Sequence, residues 1–429
     1  MLIEGRAKMA QGELNFKSGS AAFAALTGNF VCSAPIVTAS FGAFLIPVTT
    51  EYGWSRSSFS FVLTLVSLIG VVMLPFAGRM ADRFGVRRVV LLGNLAFAVS
   101  IALLALCGGR LTDFYIAYVL VAVTSAFSST VLLSRVVSVW FANMRGLFLG
   151  LTAGIGNGMG CAFMPILALM VIERLGWRDA YLALGGAVAV IGFPIMYFAL
   201  REPNASPTLA IADPKLVAGI SAREARQSPL FWLILVTIAV GGGALSAVFT
   251  HVVPLLADRG LGGSAMLVIT CIAFSSTLSQ VTLGRILDKA SLPRFAAVLI
   301  LMSAVGIAVL ARAVTTPALV TAGILIGIGN GAEYALLSYV IPRYFGFRSY
   351  SEIYGSILGV VLLFMGTTPM LMDVVFDVYG NYGLSLVGIA GALLVTTILI
   401  LRFPSYRYTR TGNISGPTAP VAPLAALPT

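Results

Sequence analysis

Long apolar stretches alternate with short charged ones along almost the whole chain. Twelve can be marked, near 20–48, 58–78, 88–108, 113–141, 146–172, 179–200, 230–256, 264–286, 294–312, 317–341, 351–375 and 382–402. About 20 apolar residues are enough for a helix to cross hydrocarbon. These stretches lack the alternation and shortness of barrel strands. Backbone groups in a bilayer must bond internally, so the pattern predicts an all-α integral membrane protein with twelve transmembrane helices. The one long polar interval, 201–229, holds Pro203, Pro207, Pro214, Arg223, Glu224 and Arg226. It reads as a linker between six-helix halves at 20–200 and 230–402. A polar N-terminal tail, 1–19, and a Pro-, Ala- and Thr-rich tail, 403–429, complete the chain. The second tail is expected to be disordered.

Internal symmetry sharpens this division. Pro47, Glu51 and Gly53 after the first stretch match Pro254, Asp258 and Gly260 after the seventh. Trp140-Phe141 matches Tyr344-Phe345, Pro165 matches Pro369, and Gly176 matches Gly380. Six spans followed by six equivalents of the same orientation imply parallel halves about an axis along the membrane normal.

Composition agrees: 59% of residues are hydrophobic, 10% are charged, and the mean hydropathy is +0.98. The first 17 residues lack the apolar core and cleavage site of a secretory signal. Cys32, Cys107, Cys161 and Cys271 lie inside apolar stretches and read as small core residues, without metal-ligand spacing or disulfide partners. The net charge of +11 bears on orientation, not on nucleic acid. With a cytoplasmic N-terminus, twenty of the 27 Lys and Arg residues fall in inside loops and tails, six outside, and Arg135 within a span. That bias places both termini in the cytoplasm of an inner-membrane protein.

Between spans two and three stands Gly78-Arg79-Met80-Ala81-Asp82-Arg83-Phe84-Gly85-Val86-Arg87-Arg88. A degenerate copy follows span eight, with Gly284, Arg285, Asp288 and Lys289. In each copy Gly precedes Asp by four, and a cation follows at once. Glycine allows close helix approach, and Asp can cap a helix or pair with a neighbouring Arg. This loop, its copy and the 6+6 arrangement resemble the major facilitator superfamily. Glu51-Tyr52-Gly53-Trp54-Ser55-Arg56-Ser57-Ser58 and the segment 140–150 resemble its bacterial organic-anion branch, near the oxalate/formate and monocarboxylate porters. The resemblance implies a monomeric secondary carrier whose spans one, four, seven and ten line a central cavity. The loops, through Gly78, Asp82, Arg83, Gly85, Arg87, Arg88, Gly284 and Asp288, would act as a conformational latch. Animal monocarboxylate carriers hold an Asp and an Arg in span eight, where this chain reads the uncharged 275–280.

Charges inside spans are costly and default to functional candidates. Arg135 in span four lies about 7–8 Å from the helix end by rise per residue. Its planar fork suits a substrate carboxylate, or it pairs with an interhelical acid or snorkels. Glu333 in span ten lies about 9 Å shallower. It is a candidate coupling-proton carrier, a switched partner of Arg135, or structural. His251, the sole histidine, could relay a proton or simply join packed helices. Asn29, Asn157, Gln280, Asn330 and Tyr334 are buried polar candidates for the substrate site. Gly150, Gly154, Gly158 and Pro165 in span five, with Gly355, Gly359 and Pro369 in span eleven, read as helix packing. No strand or Lys-Ser/Thr accompanies those glycines, so they are not a phosphate loop. The sequence thus predicts a membrane carrier of a small organic anion with protons, using no cofactor or metal and having no enzymatic site. An exporter of apolar or cationic compounds and a non-transporting receptor are the rival readings.

Overall fold

The computed structural model describes residues 15–141, 145–202, 219–289, 294–346, 348–404 and 406. Most of the two tails and most of the linker lie outside them. Twelve crossings follow in chain order: α1 (Phe16–Ala39), α2 (Arg56–Phe84), α3 (Val86–Leu106), α4 (Leu111–Trp140), α5 (Leu147–Leu175), α6 (Trp177–Ala199), α7 (Pro229–Ala257), α8 (Ala265–Lys289), α9 (Arg294–Arg312), α10 (Thr316–Phe345), α11 (Glu352–Tyr379) and α12 (Gly383–Leu401). Eleven helices among the described residues are long and apolar enough to cross a membrane by length and composition. They lie where the apolar stretches put them. The helix Phe41–Tyr52 prolongs α1 to the face opposite the hallmark loop.

Two symmetric pairs of turn glycines have a simple cause. Gly53 and Gly260 have φ of 66° and 72°, and Gly176 and Gly380 have φ of 92° and 72°. A side chain is strained there, so glycine is kept at each helix exit.

The halves differ inside. α7 through α12 surround one continuous apolar core. The first half has two, one toward the hallmark-loop face and one toward the opposite face. Its helices are also interrupted. α1 loosens to a π-helix over Ala34–Ala39, α5 over Gly150–Ile155 and α6 over Val188–Gly192. α4 breaks at Ser128–Ser129 between Leu111–Phe127 and Thr130–Trp140. Such irregularities are tolerated at membrane depth only where protein or a cavity surrounds them. The halves meet where α2 runs along α11, α5 along α8, and Phe41–Tyr52 along α7.

Candidate functional site

On the opposite face a hydrogen-bonded cluster joins the halves. Asp373 of α11 is fully buried and accepts three bonds. His251 Nε2 of α7 lies 2.8 Å from its Oδ2, Tyr382 donates to Oδ1 at 2.7 Å, and Ser60 of α2 donates to Oδ2. His251 Nδ1 lies 2.9 Å from the Ala247 carbonyl, so both ring nitrogens are engaged. One turn outward, Arg56 grips Asp258 with both guanidinium nitrogens at 2.5 and 2.8 Å and donates to Tyr382 at 2.9 Å. Asp377 caps the start of α2 through the backbone N–H groups of Arg56 and Ser57, at 3.1 and 3.0 Å. A carboxylate is favoured there by the helix dipole. The Arg56 guanidinium stacks 3.7 Å from the Phe376 ring centre.

His251 was legible in the sequence; Asp373, Arg56, Asp258, Asp377 and Tyr382 were missed. The rule that an acid inside a span is functional would have found Asp373. Arg56 carries no such signal, since it reads as a loop cation. Its pairing needs the far half of the chain. The symmetric acid Glu51 stays within its own half: Trp177 Nε1 donates to it at 2.6 Å and Arg178 pairs with it at 2.8 Å. These two contacts hold its carboxyl below the usual range.

Glu333 sits deeper. It is 5% exposed, and neither carboxylate oxygen has a partner. It faces the glycines of α7. A Cβ on Gly241 would come within 2.9 Å of Oε2, and one on Gly242 within 3.6 Å of Oε1. Those glycines make the space for the carboxyl. Glu333 does not meet Arg135 or His251 in this conformation.

Arg135 instead pairs with Asp82 of the hallmark loop, and both side chains are about half exposed. Two sequence candidates are thereby brought together, in the manner of an interhelical acid partner. On the same loop, the Arg87 backbone N–H donates to Glu202 and the Arg87 guanidinium to the Tyr197 carbonyl at 2.7 Å. The hallmark turn is thus tied to the end of α6. The Arg83 guanidinium lies 5.3 Å from the Phe84 ring centre. The side chains of Gly284's neighbours, of Asp288 and of Tyr334 lie outside the described residues.

The polar candidates are spread over a middle layer. Asn29 donates to Ala25 at 2.8 Å and leaves its Oδ1 unpartnered. Asn94 donates to Ser128 at 3.2 Å and also leaves its Oδ1 unpartnered, as is the Ser129 hydroxyl. Asn157 accepts from Cys161 at 3.3 Å, and Asn330 donates to Ser276 at 3.2 Å. Buried polar atoms normally find partners; the Asn29 and Asn94 Oδ1 atoms and the Ser129 hydroxyl are the groups of that layer left without one among the described residues.

The glycines of α5 divide between two faces. Cβ atoms on Gly154 and Gly158 would meet Gln280 at 3.3 Å and Thr277 at 2.0 Å on α8; those on Gly156 and Gly160 would meet the Leu26 and Phe30 carbonyls at 2.5 and 2.3 Å on α1. Gly150, like Gly355, has open space, and Pro165 and Pro369 are buried.

Comparisons with known proteins fit this geometry. The nucleoside transporter NupG superposes with a TM-score of 0.71 at 13% identity, covering 91% of this chain and all of that one. Monocarboxylate transporter 11 of Homo sapiens is 26% identical over 345 residues, 75% of this chain and 69% of that protein. The transporter YcxA of Bacillus subtilis is 22% identical over 219 residues, 51% of this chain; the match spans about half of YcxA, 53%. The family model described as Major Facilitator Superfamily matches residues 22–362. A chain of paired six-helix halves, matched over most of its length, is therefore a multi-pass membrane transporter that belongs to the Major Facilitator Superfamily.

Proposed function

We propose that the chain is a secondary active transporter that moves a small organic anion, a mono- or dicarboxylate, together with protons by alternating access. The observation that carries the reading is Glu333, an acid buried between α7 and α10 with neither oxygen partnered. A buried group without counter-charge is costly when ionised. It is suited to hold a proton while enclosed and to release it when the cavity hydrates. His251 with Asp373 supplies a second proton-binding pair, and this one spans the boundary between halves through Ser60. Arg135 offers two parallel hydrogen bonds to a carboxylate. In this state Arg135 is paired with Asp82 through one guanidinium nitrogen, so a substrate would displace the latch residue. Asn29, Asn330, Gln280 and Tyr334 would complete the substrate site. The name of the human relative supports a carboxylate cargo.

The positive-inside bias supports a cytoplasmic hallmark-loop face and cytoplasmic termini, in the inner membrane of a bacterial cell. A single chain supplies both halves and is taken as the working unit. The contacts of Arg56 with Asp258 and of Asp373 with His251 and Ser60 form a clamp between the halves on the opposite face, while the contact of α2 with α11 thins toward the loop. A Cβ on Gly366 would meet Ser67 at 2.1 Å, one on Gly359 would meet Val71 at 3.5 Å, and ones on Gly355 and Gly78 would meet nothing. This pattern supports an inward-open reading, in which the latch residues of the two hallmark loops would engage across the halves on closure.

The same lone acid favours a second reading, a proton-driven exporter of apolar or cationic compounds with Glu333 as the cation contact. Uptake of labelled carboxylates into proteoliposomes, with and without a pH gradient, separates the two. The carboxylate reading expects accumulation that follows the gradient, collapses in Arg135→Lys and loses its gradient dependence in Glu333→Gln. Carboxylate uptake untouched by Arg135→Lys removes that residue from the site. Cation efflux abolished by Glu333→Gln, without carboxylate uptake, establishes the exporter.

A further inference from the structure

Away from the clamp and the middle layer, a cavity of about 880 Å³ opens on the hallmark-loop face. The start of α1, the turn between α2 and α3, and the ends of α4 and α6 enclose it. Its lining gathers Lys17, Arg87, Arg88 and Arg201 around one acid, Glu202. Glu202 accepts the Arg87 backbone N–H in the first turn of α3, which orients its carboxylate and leaves its charge in the cavity. The Arg87 guanidinium is committed to the Tyr197 carbonyl at 2.7 Å and to the Tyr197 ring, 5.6 Å from its centre. The side-chain charges of Lys17, Arg88 and Arg201 have no partner among the described residues. Four cations against one carboxylate leave this lining strongly positive, and the cations repel each other unless a further anion joins them.

The rim indicates which anion. Phe84, Tyr197 and Phe198 border the cavity, and 48%, 48% and 75% of their surfaces are exposed. Trp140 lines it with its indole N–H donated to the Arg201 carbonyl at 2.7 Å. Exposed aromatic rings beside cations mark the level where acyl chains give way to headgroups. A free phosphate would use the cations and make no use of Phe84 and Phe198. A phospholipid uses both, with its phosphate in the cavity and its chains against the rings. Basic pockets between helix ends on this side of a bilayer have that chemistry.

We propose that this cavity binds the phosphate headgroup of an anionic phospholipid, held by Lys17, Arg88 and Arg201. That the leaflet is the inner one rests on the orientation proposed above; the site itself does not depend on it, nor on the cargo.

The test is titration of the detergent-solubilised full chain with phosphatidylglycerol, phosphatidylcholine or inorganic phosphate, read as bound adducts by native mass spectrometry. Wild type is expected to retain phosphatidylglycerol over phosphatidylcholine. Lys17→Gln/Arg88→Gln/Arg201→Gln is expected to bind it about a hundredfold more weakly, at about fivefold per cation removed. Arg223→Gln/Arg348→Gln/Arg402→Gln removes the same charge elsewhere on that face and is expected to bind as wild type does. Should the triple variant fail to fold, Lys17→Gln alone, an exposed change in the first turn of α1, carries the fivefold expectation. Equal losses in the two triple variants, or no loss at Lys17, would overturn the site. Inorganic phosphate that displaces phosphatidylglycerol at equal concentration would overturn the lipid assignment.

Discussion

Asp373 holds three donors from three elements, and its loss would leave all three unsatisfied in a buried place. Asp373→Ala is expected to cost about 3 kcal/mol of stability, the scale for removing one partner of a buried ionic cluster. A lower unfolding temperature in detergent would show it, and Asp373→Asn, which keeps an acceptor oxygen, should fall less. Glu51 gives a pH-dependent counterpart. Its folded-state carboxyl titrates below the unfolded one because Trp177 and Arg178 bind the charged form. Its contribution is therefore present above the unfolded value, near 4.3, and is lost as pH falls through the folded one. The group is well exposed, so the contribution is below about 1 kcal/mol. Melting curves of wild type and Glu51→Gln should differ at pH 7 and converge under strongly acid conditions. At this scale the sequence was legible for Glu333, His251 and Arg135, because a charge deep in an apolar run needs a reason. It was mute on Arg56 and Asp377, which sit at helix ends where charges are ordinary. Their roles come from contacts between distant parts of the chain.

Helix positions could be read from apolar run lengths to within a few residues. Helix quality could not. The π-helical segments at Ala34–Ala39, Gly150–Ile155 and Val188–Gly192 are built of the same small and apolar residues as their regular neighbours. Only packing decides where the winding loosens. The glycines of α5 could be read as packing residues, but not that alternate ones serve α1 and α8. Backbone of the two halves comes close at Gly42, whose Cβ would lie 2.2 Å from the Thr250 carbonyl of α7. Backbone cannot yield there cheaply. Gly42→Ala should destabilise the clamped state by about 1–3 kcal/mol. Labelling of a cysteine placed on the opposite face should increase in that variant, because the halves part more often.

For the whole molecule, the contact between α2 and α11 reads as a hinge closed at one end. Thr64 reaches Gly366 and Met370 at 3.0 and 3.8 Å, whereas Gly78 and Gly355, which continue the same register, are free. In a variant lacking the four native cysteines, Thr64→Cys/Met370→Cys should crosslink with a short reagent at rest. Gly78→Cys/Gly355→Cys should do so only under conditions that turn the carrier over. Equal crosslinking of both pairs at rest would contradict the inward-open reading. The many bonds of the clamp then acquire a kinetic meaning. In the proposed inward-open state a solute on the hallmark-loop side would meet the half-exposed Arg135 directly, and its first turnover should show no lag. A solute on the other side waits until Arg56 leaves Asp258 and Ser60 leaves Asp373. The two directions share one equilibrium, yet their initial rates should differ, and weakening the clamp should speed only the slower one.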